Sequence, residues 1–178
     1  MTFTIRRATA NDAGRLAELA ARTFSDTYAA YNDPADMAVH ISARYGPSKQ
    51  AEELADAGST YIVAELADQL IGYAYLVSQQ APGDVALDAP VEVVRFYVAS
   101  PWHGRGVAQG LMEACVAEAR RQGGRTLCLG VWQENARAIA FYQRAGFTIV
   151  GTTAFQLGSQ RQLDHVMAMS LDGSGKGS

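Results

Sequence analysis

Val98-Ala-Ser-Pro-Trp-His-Gly-Arg-Gly-Val-Ala-Gln-Gly110 is the stretch that orders the rest of the chain. The β-rich run Val91 to Val98 precedes it and ends at Ser100-Pro101. Beyond it Val107, Leu111, Cys115, Val116 and Ala119 fall on one helical stripe, and Gly123-Gly124 stops the helix. The spacing predicts one helix from Gly104 to Gly123, followed by a strand over Arg125 to Val131. Strand, glycine-rich turn, helix and strand make a βαβ unit, whose two strands run parallel through a right-handed crossover.

The turn has the outline of a phosphate site. A helix start leaves unpaired backbone N–H groups with a partial positive charge, and glycine lets an anion approach them closely. Local charge agrees: Arg95 to Arg144 holds seven arginines against Glu113, Glu118 and Glu134, a net of +4. Gly104-x-Gly106-x-x-x-Gly110 also approaches a dinucleotide fingerprint, which would make the protein a nicotinamide-dependent dehydrogenase. That fingerprint needs GxGxxG and an acidic residue about 20 positions on, whereas Glu134 arrives late. The P-loop pattern is absent, and a third reading has the glycines merely permitting a tight turn.

Outward from this unit, Phe3 and Ile5 alternate with polar neighbours in a first strand, and Thr9 with Asp12 forms a helix-start box. Leu16, Leu19, Ala20 and Phe24 recur at helical spacing; Asp33-Pro34 opens a second short helix and Gly46-Pro47 a third that ends near Gly58. Tyr61 to Leu66 and Leu70 to Val77 read as a hairpin around Ala67, Asp68 and Gln69. A last helix, Asn135 to Arg144, ends at Gly146, and Phe147 to Phe155 and Gln162 to Ser170 complete the strands.

The whole chain has 178 residues, 48% hydrophobic and 19% charged, with a net charge of −3. These values suit one soluble α/β domain over 1–171. The Asp-Gly-Ser-Gly-Lys-Gly-Ser tail, 172–178, is expected to be disordered or a cloning remnant. No run approaches the ~18 apolar residues of a membrane span, and no basic excess invites nucleic acid. Met1 to Ala10 has no apolar signal core, and Cys115 and Cys128 show no metal or disulfide spacing, so a cytoplasmic, metal-free protein is expected. The histidines, His40, His103 and His165, are far apart and read as surface or turn residues, and Trp102 and Trp132 as packing residues.

His103-Gly-Arg-Gly106-Val-Ala108 resembles the [Arg/Gln]-x-x-Gly-x-[Gly/Ala] signature of the GNAT superfamily of N-acetyltransferases, with His103 at the position usually held by Gln or Arg. Asn135-Ala-Arg-Ala-Ile-Ala-Phe-Tyr142, followed by Gly146-Phe147, is similar to that superfamily's second segment. Thr23-Phe-Ser-Asp-Thr-Tyr28, Leu129-Gly-Val-Trp-Gln-Glu-Asn135 and Phe155-Gln-Leu-Gly158 look like the PaiA-type spermine/spermidine acetyltransferases. The resemblance implies a mixed, mostly antiparallel sheet of seven strands flanked by helices. It also implies acetyl-CoA as cosubstrate, a small primary amine with polyamine favoured as acceptor, and a possible homodimer.

By the same resemblance, the turn residues His103, Gly104, Arg105, Gly106, Val107 and Ala108 hold the pyrophosphate. Phe96, Tyr97 and Val98 offer main-chain groups to the pantetheine arm and to the thioester oxygen, and Ala138 stands beside the cofactor, as does Asn135 unless it simply caps its helix. Two residues carry the expected proton transfers. An amine of pKa about 10.4 is neutral only on the order of once in a few thousand molecules at pH 7, so a base is useful. Glu92, 14 residues before Gly106, matches the base position of histone-acetylating members, directly or through water; its plainer reading is a surface glutamate at a strand end. Tyr142 is the implied acid for the leaving thiolate, against a plain packing role beside Phe141. The stretch from Asp26 to Asp56 has six carboxylates against Arg44 and Lys49: either a solvated helical face or, with Tyr28 and Tyr31, a polycation pocket. A noncatalytic acyl-CoA-binding or regulatory module is the non-enzyme alternative.

Overall fold

The computed structural model describes residues 2–173. Seven strands, β1 (Thr4–Arg7), β2 (Ser59–Leu66), β3 (Gln69–Ser78), β4 (Pro90–Val98), β5 (Thr126–Trp132), β6 (Thr148–Leu157) and β7 (Gln160–Ser170), form one sheet in the order β1-β2-β3-β4-β5-β7-β6. Every neighbouring pair is antiparallel except β4–β5. The mixed, mostly antiparallel seven-stranded sheet is therefore present. A dinucleotide-binding domain needs a mainly parallel, doubly wound sheet, so the dehydrogenase reading falls.

Five helices cover the two faces. On one, α4 (Val107–Arg121) and α5 (Ala136–Ala145) bury Leu111, Cys115, Tyr142 and Phe147 against Val91, Val93, Leu127 and Leu129. On the other, α1 (Ala13–Tyr28), α2 (Pro34–Arg44) and α3 (Pro47–Ala55) pack Leu16, Phe24 and Met37 over Tyr61, Val63, Tyr73 and Tyr75. Helices on both faces follow from strand alternation, which sends successive apolar side chains of β4 and β5 to opposite sides.

Local chemistry moves several boundaries from their sequence-based positions. The β2–β3 turn is Ala67-Asp68, both with positive φ (48° and 64°), a two-residue hairpin turn whose twist matches the strands; Gln69 already belongs to β3. Helix α4 begins at Val107 rather than Gly104, because Gly104 and Gly106 adopt φ of +72° and +82°, which a right-handed helix forbids. Asp12 does accept from the Thr9 backbone N–H at 2.8 Å, in a short turn leading into α1. Helix α3 stops at Ala55, short of Gly58. In the tail, Asp172 pairs with Arg125 at 2.9 Å, while 174–178 lie outside the described residues.

Candidate active site

Strands β4 and β5 pair only through Pro90–Thr126, Val91–Leu127 and Glu92–Cys128, then diverge. A bulge adds to the separation: β3 Tyr75 faces Arg95 and Leu76 faces Val93, so Val94 is the extra residue on β4. The divergence opens a cleft of about 630 Å³ running between β4, β5, α1, α5 and the start of α4. Because β3 occupies only one edge of β4, the other edge from Val93 to Val98 is left to meet a ligand.

Of the residues singled out from sequence, the cleft wall contains Phe96, Tyr97, Val98, His103, Gly104, Gly106, Ala108, Asn135, Ala138 and Tyr142. Neither left-handed glycine has an atom within 4 Å of where a methyl would stand, so an anion can reach the N–H groups of the turn. Val107 is not part of the wall; its side chain is buried in the core. Arg105 is absent from the wall; its guanidinium lies over the Trp102 ring at 5.4 Å.

His103 does something its sequence position did not disclose. Its Nδ1 accepts from Arg137 Nη1 at 3.0 Å, since a guanidinium only donates, and its Nε2 hydrogen is then directed to the Val98 carbonyl at 2.7 Å. The imidazole thereby ties β4 to α5 and brings Arg137, which lines the cleft, beside the turn. Sequence reasoning counted Arg137 in the basic segment without giving it a role. Asn135 caps α5 by accepting from the Ala138 N–H at 3.2 Å.

Tyr142 stands at the floor of the cleft among Phe96, Phe141 and Phe147, with ring centroids 6.1, 5.5 and 5.7 Å away. Burial pushes its phenol well above the ordinary value, so it holds its proton at neutral pH. Glu92 is not brought into this group. It accepts from Gln80 Nε2 at 2.7 Å beneath the β3–β4 connection and is not part of the cleft wall; burial raises its carboxyl.

On the α1 side the cleft is lined by Thr23, Asp26, Thr27, Tyr28 and Arg95. The Arg95 guanidinium is neutralised by Glu53, with both nitrogens 2.9 Å from its carboxylate oxygens, and lies against the rings of Tyr45 and Tyr75. Tyr28 lies near Trp132 (6.1 Å between centroids), and Tyr31 lies at 5.0 Å from the same indole. His40, read as a surface or turn residue, is half-buried and stacked on Phe24 at 4.4 Å; burial lowers it to about 4. Asp164 on β7, opposite Trp132 of β5, is not itself part of the wall but has Oδ2 3.5 Å from where a methyl on the wall residue Gly130 would stand; no sequence motif singled it out.

A cleft with open left-handed glycines at a helix start, a free strand edge along its length and a protonated phenol in its wall has the features that an acyl-coenzyme A-dependent acyltransferase needs. Residues 16–147 match the Acetyltransferase (GNAT) family, and the chain belongs to it: it is an acetyl-CoA-dependent N-acetyltransferase. It is 36% identical over 160 residues to an uncharacterized N-acetyltransferase of Mycobacterium tuberculosis, covering 90% of this chain and 98% of that one. An uncharacterized N-acetyltransferase of Lactobacillus delbrueckii subsp. lactis is 30% identical over 149 residues, covering 84% and 86%. The fold is similar to that of PaiA N-acetyltransferase from Thermoplasma acidophilum, crystallised with coenzyme A: TM-score 0.78, 19% identity, 96% of this chain and 99% of that one. A putative acetyltransferase of Salmonella typhimurium, crystallised with acetyl-CoA, gives a TM-score of 0.67 at 23% identity over 100% and 99% of the chains.

Proposed function

We propose that this enzyme acetylates a cationic primary amine, with a polyamine such as spermidine or spermine as acceptor. The observation that carries the acceptor class is the chemistry of the α1 wall of the cleft. Asp26 and Tyr28 line it, and the charge of Arg95 on the same side is already cancelled by Glu53. An alkylammonium gains from both a carboxylate and aromatic faces.

The residues then divide the work. Acetyl-CoA supplies the thioester carbonyl that the amine attacks. The N–H groups of Gly106 to Ala108 and the Arg137 guanidinium hold its pyrophosphate, and the free edge of Phe96 to Val98 pairs with its pantetheine arm as an added strand. N–H groups beside the β4 bulge face the carbonyl oxygen as charge develops there, a preorganised stabilisation that costs no rearrangement. Tyr142 keeps a proton on Oη for the departing sulfur, in apolar surroundings that suppress its own ionisation. Glu92, with one oxygen engaged by Gln80 and no place in the wall, serves as base through an intervening water.

Thiol release from acetyl-CoA across polyamines, amino acids, aminoglycosides and peptide amino termini tests the reading. Spermidine or spermine should give the highest kcat/KM, and added salt should raise KM for them. Preference for an amino acid or aminoglycoside with no polyamine turnover overturns the acceptor class.

A further inference from the structure

Gly130 of β5 forms part of the cleft wall where β4 and β5 have separated. A methyl at that position would have Asp164 Oδ2 3.5 Å away and Pro82 Cβ 3.9 Å away as its nearest neighbours. The space that any other residue would fill is thus open to the cleft, and a carboxylate borders it. Asp164 is held at the centre of β7, opposite Trp132 on β5 and Thr153 on β6. Its Oδ1 is buried and has no hydrogen-bond partner among the described residues. Burial also raises its carboxyl to about 6; the Tyr28 phenol is raised mainly by burial, with the Asp164 carboxylate adding to it. An uncompensated carboxylate in a strand costs stability, and such groups concentrate where a ligand supplies the missing partner.

We propose that Asp164 holds an ammonium group of the acceptor in the space over Gly130, on the side of the cleft that Tyr28 lines. The inference rests on the cationic-acceptor reading and assigns its recognition to one carboxylate. Three donors on an alkylammonium suit a carboxylate whose buried oxygen lacks a donor, and the Tyr28 ring offers cation–π contact. Glycine at 130 keeps the approach open.

Titration calorimetry of spermidine into protein saturated with coenzyme A reads recognition without turnover. Asp164→Asn should weaken spermidine binding at least tenfold, leave acetyl-CoA affinity unchanged and raise Tm, because the amide replaces an unpaired buried charge with a neutral isostere. Gly130→Ala, whose methyl meets only ordinary contacts, should weaken spermidine in the same direction by narrowing the space. Equal spermidine affinity in wild type and Asp164→Asn overturns the assignment, and so does a variant that loses affinity and Tm together, the mark of a merely structural role. A wild-type protein that binds no spermidine instead sinks the polyamine reading on which the assignment rests.

Discussion

Tyr142 and Gly106 isolate two steps that single substitutions separate. Tyr142→Phe keeps the ring among Phe96, Phe141 and Phe147 and removes only the phenolic donor. Acetyl-CoA affinity should hold while kcat falls tenfold or more, about 1.4 kcal/mol of transition-state stabilisation; wild-type kcat in the variant returns Tyr142 to packing. At Gly106 the left-handed backbone, rather than crowding, constrains the choice, because nothing stands within 4 Å of an added methyl. Gly106→Ala and Gly106→Glu therefore share a backbone penalty of roughly 1–2 kcal/mol. Only the glutamate sets a negative charge against the pyrophosphate, so calorimetry should show it binding acetyl-CoA more weakly than the alanine variant. Equal affinities would remove phosphate binding from this turn. For Glu92→Gln the discriminating variable is pH. If Glu92 and its water take the acceptor's proton, the deficit in kcat/KM is largest near pH 7 and shrinks as pH nears the amine's pKa of about 10. A curve parallel to wild type at every pH removes the base role.

At the scale of elements, a buried ion pair joins Arg95, the residue after the β4 bulge, to α3. Arg95 and Glu53 are both buried, and Tyr61 adds a hydroxyl that donates to the same carboxylate. Deleting one member strands the other charge in the interior: Glu53→Ala should cost about 3–5 kcal/mol, measured by chemical denaturation. A cost below about 1 kcal/mol would mean that water reaches Arg95. This contact also marks where legibility in the sequence ended. The βαβ unit could be read because its signals are local: a helical stripe from Val107 to Ala119, glycines at the turn and at the stop, and β-branched runs on either side. The helix over Ala136–Ala145 and the strands around it were legible for the same reason. By contrast, Arg95 meets Glu53 across 42 positions, and Asp164 reaches Gly130 through a pairing of β5 with β7 across two intervening elements. No periodicity or composition encodes such meetings, which is why the α1 side of the cleft stayed obscure while the glycine turn did not. His103 lies between these cases: its place in the motif was plain, but its bond to Arg137 exists only once α5 has folded against the turn.

Across the whole molecule, two groups of carboxylates oppose each other as pH changes. Asp12, gripped by Arg6 and Arg15, and Glu118, gripped by Arg7 and Arg121, are held below their ordinary values, Glu118 at about 2. Their contribution to stability is present above the unfolded pKa and is lost as pH falls through the folded one. Asp164 has the opposite sign. Burial raises its folded pKa from 3.8 to about 6, so the folded state binds the extra proton. Its contribution is fully present below pH 3.8 and is lost as pH rises through about 6. Wild type and Asp164→Asn share every other titrating group, so the difference between their Tm values isolates this one. The two should melt alike near pH 3.8, the variant should gain progressively between pH 3.8 and 6, and the gap should be constant above that. Saturating spermidine at pH 7, in the presence of coenzyme A, should narrow the gap, because the ammonium gives the wild-type carboxylate the partner it lacks. A gap that is independent of pH would show that Asp164 is no more desolvated in the fold than in the unfolded chain, and that its carboxylate needs no cation to complete it.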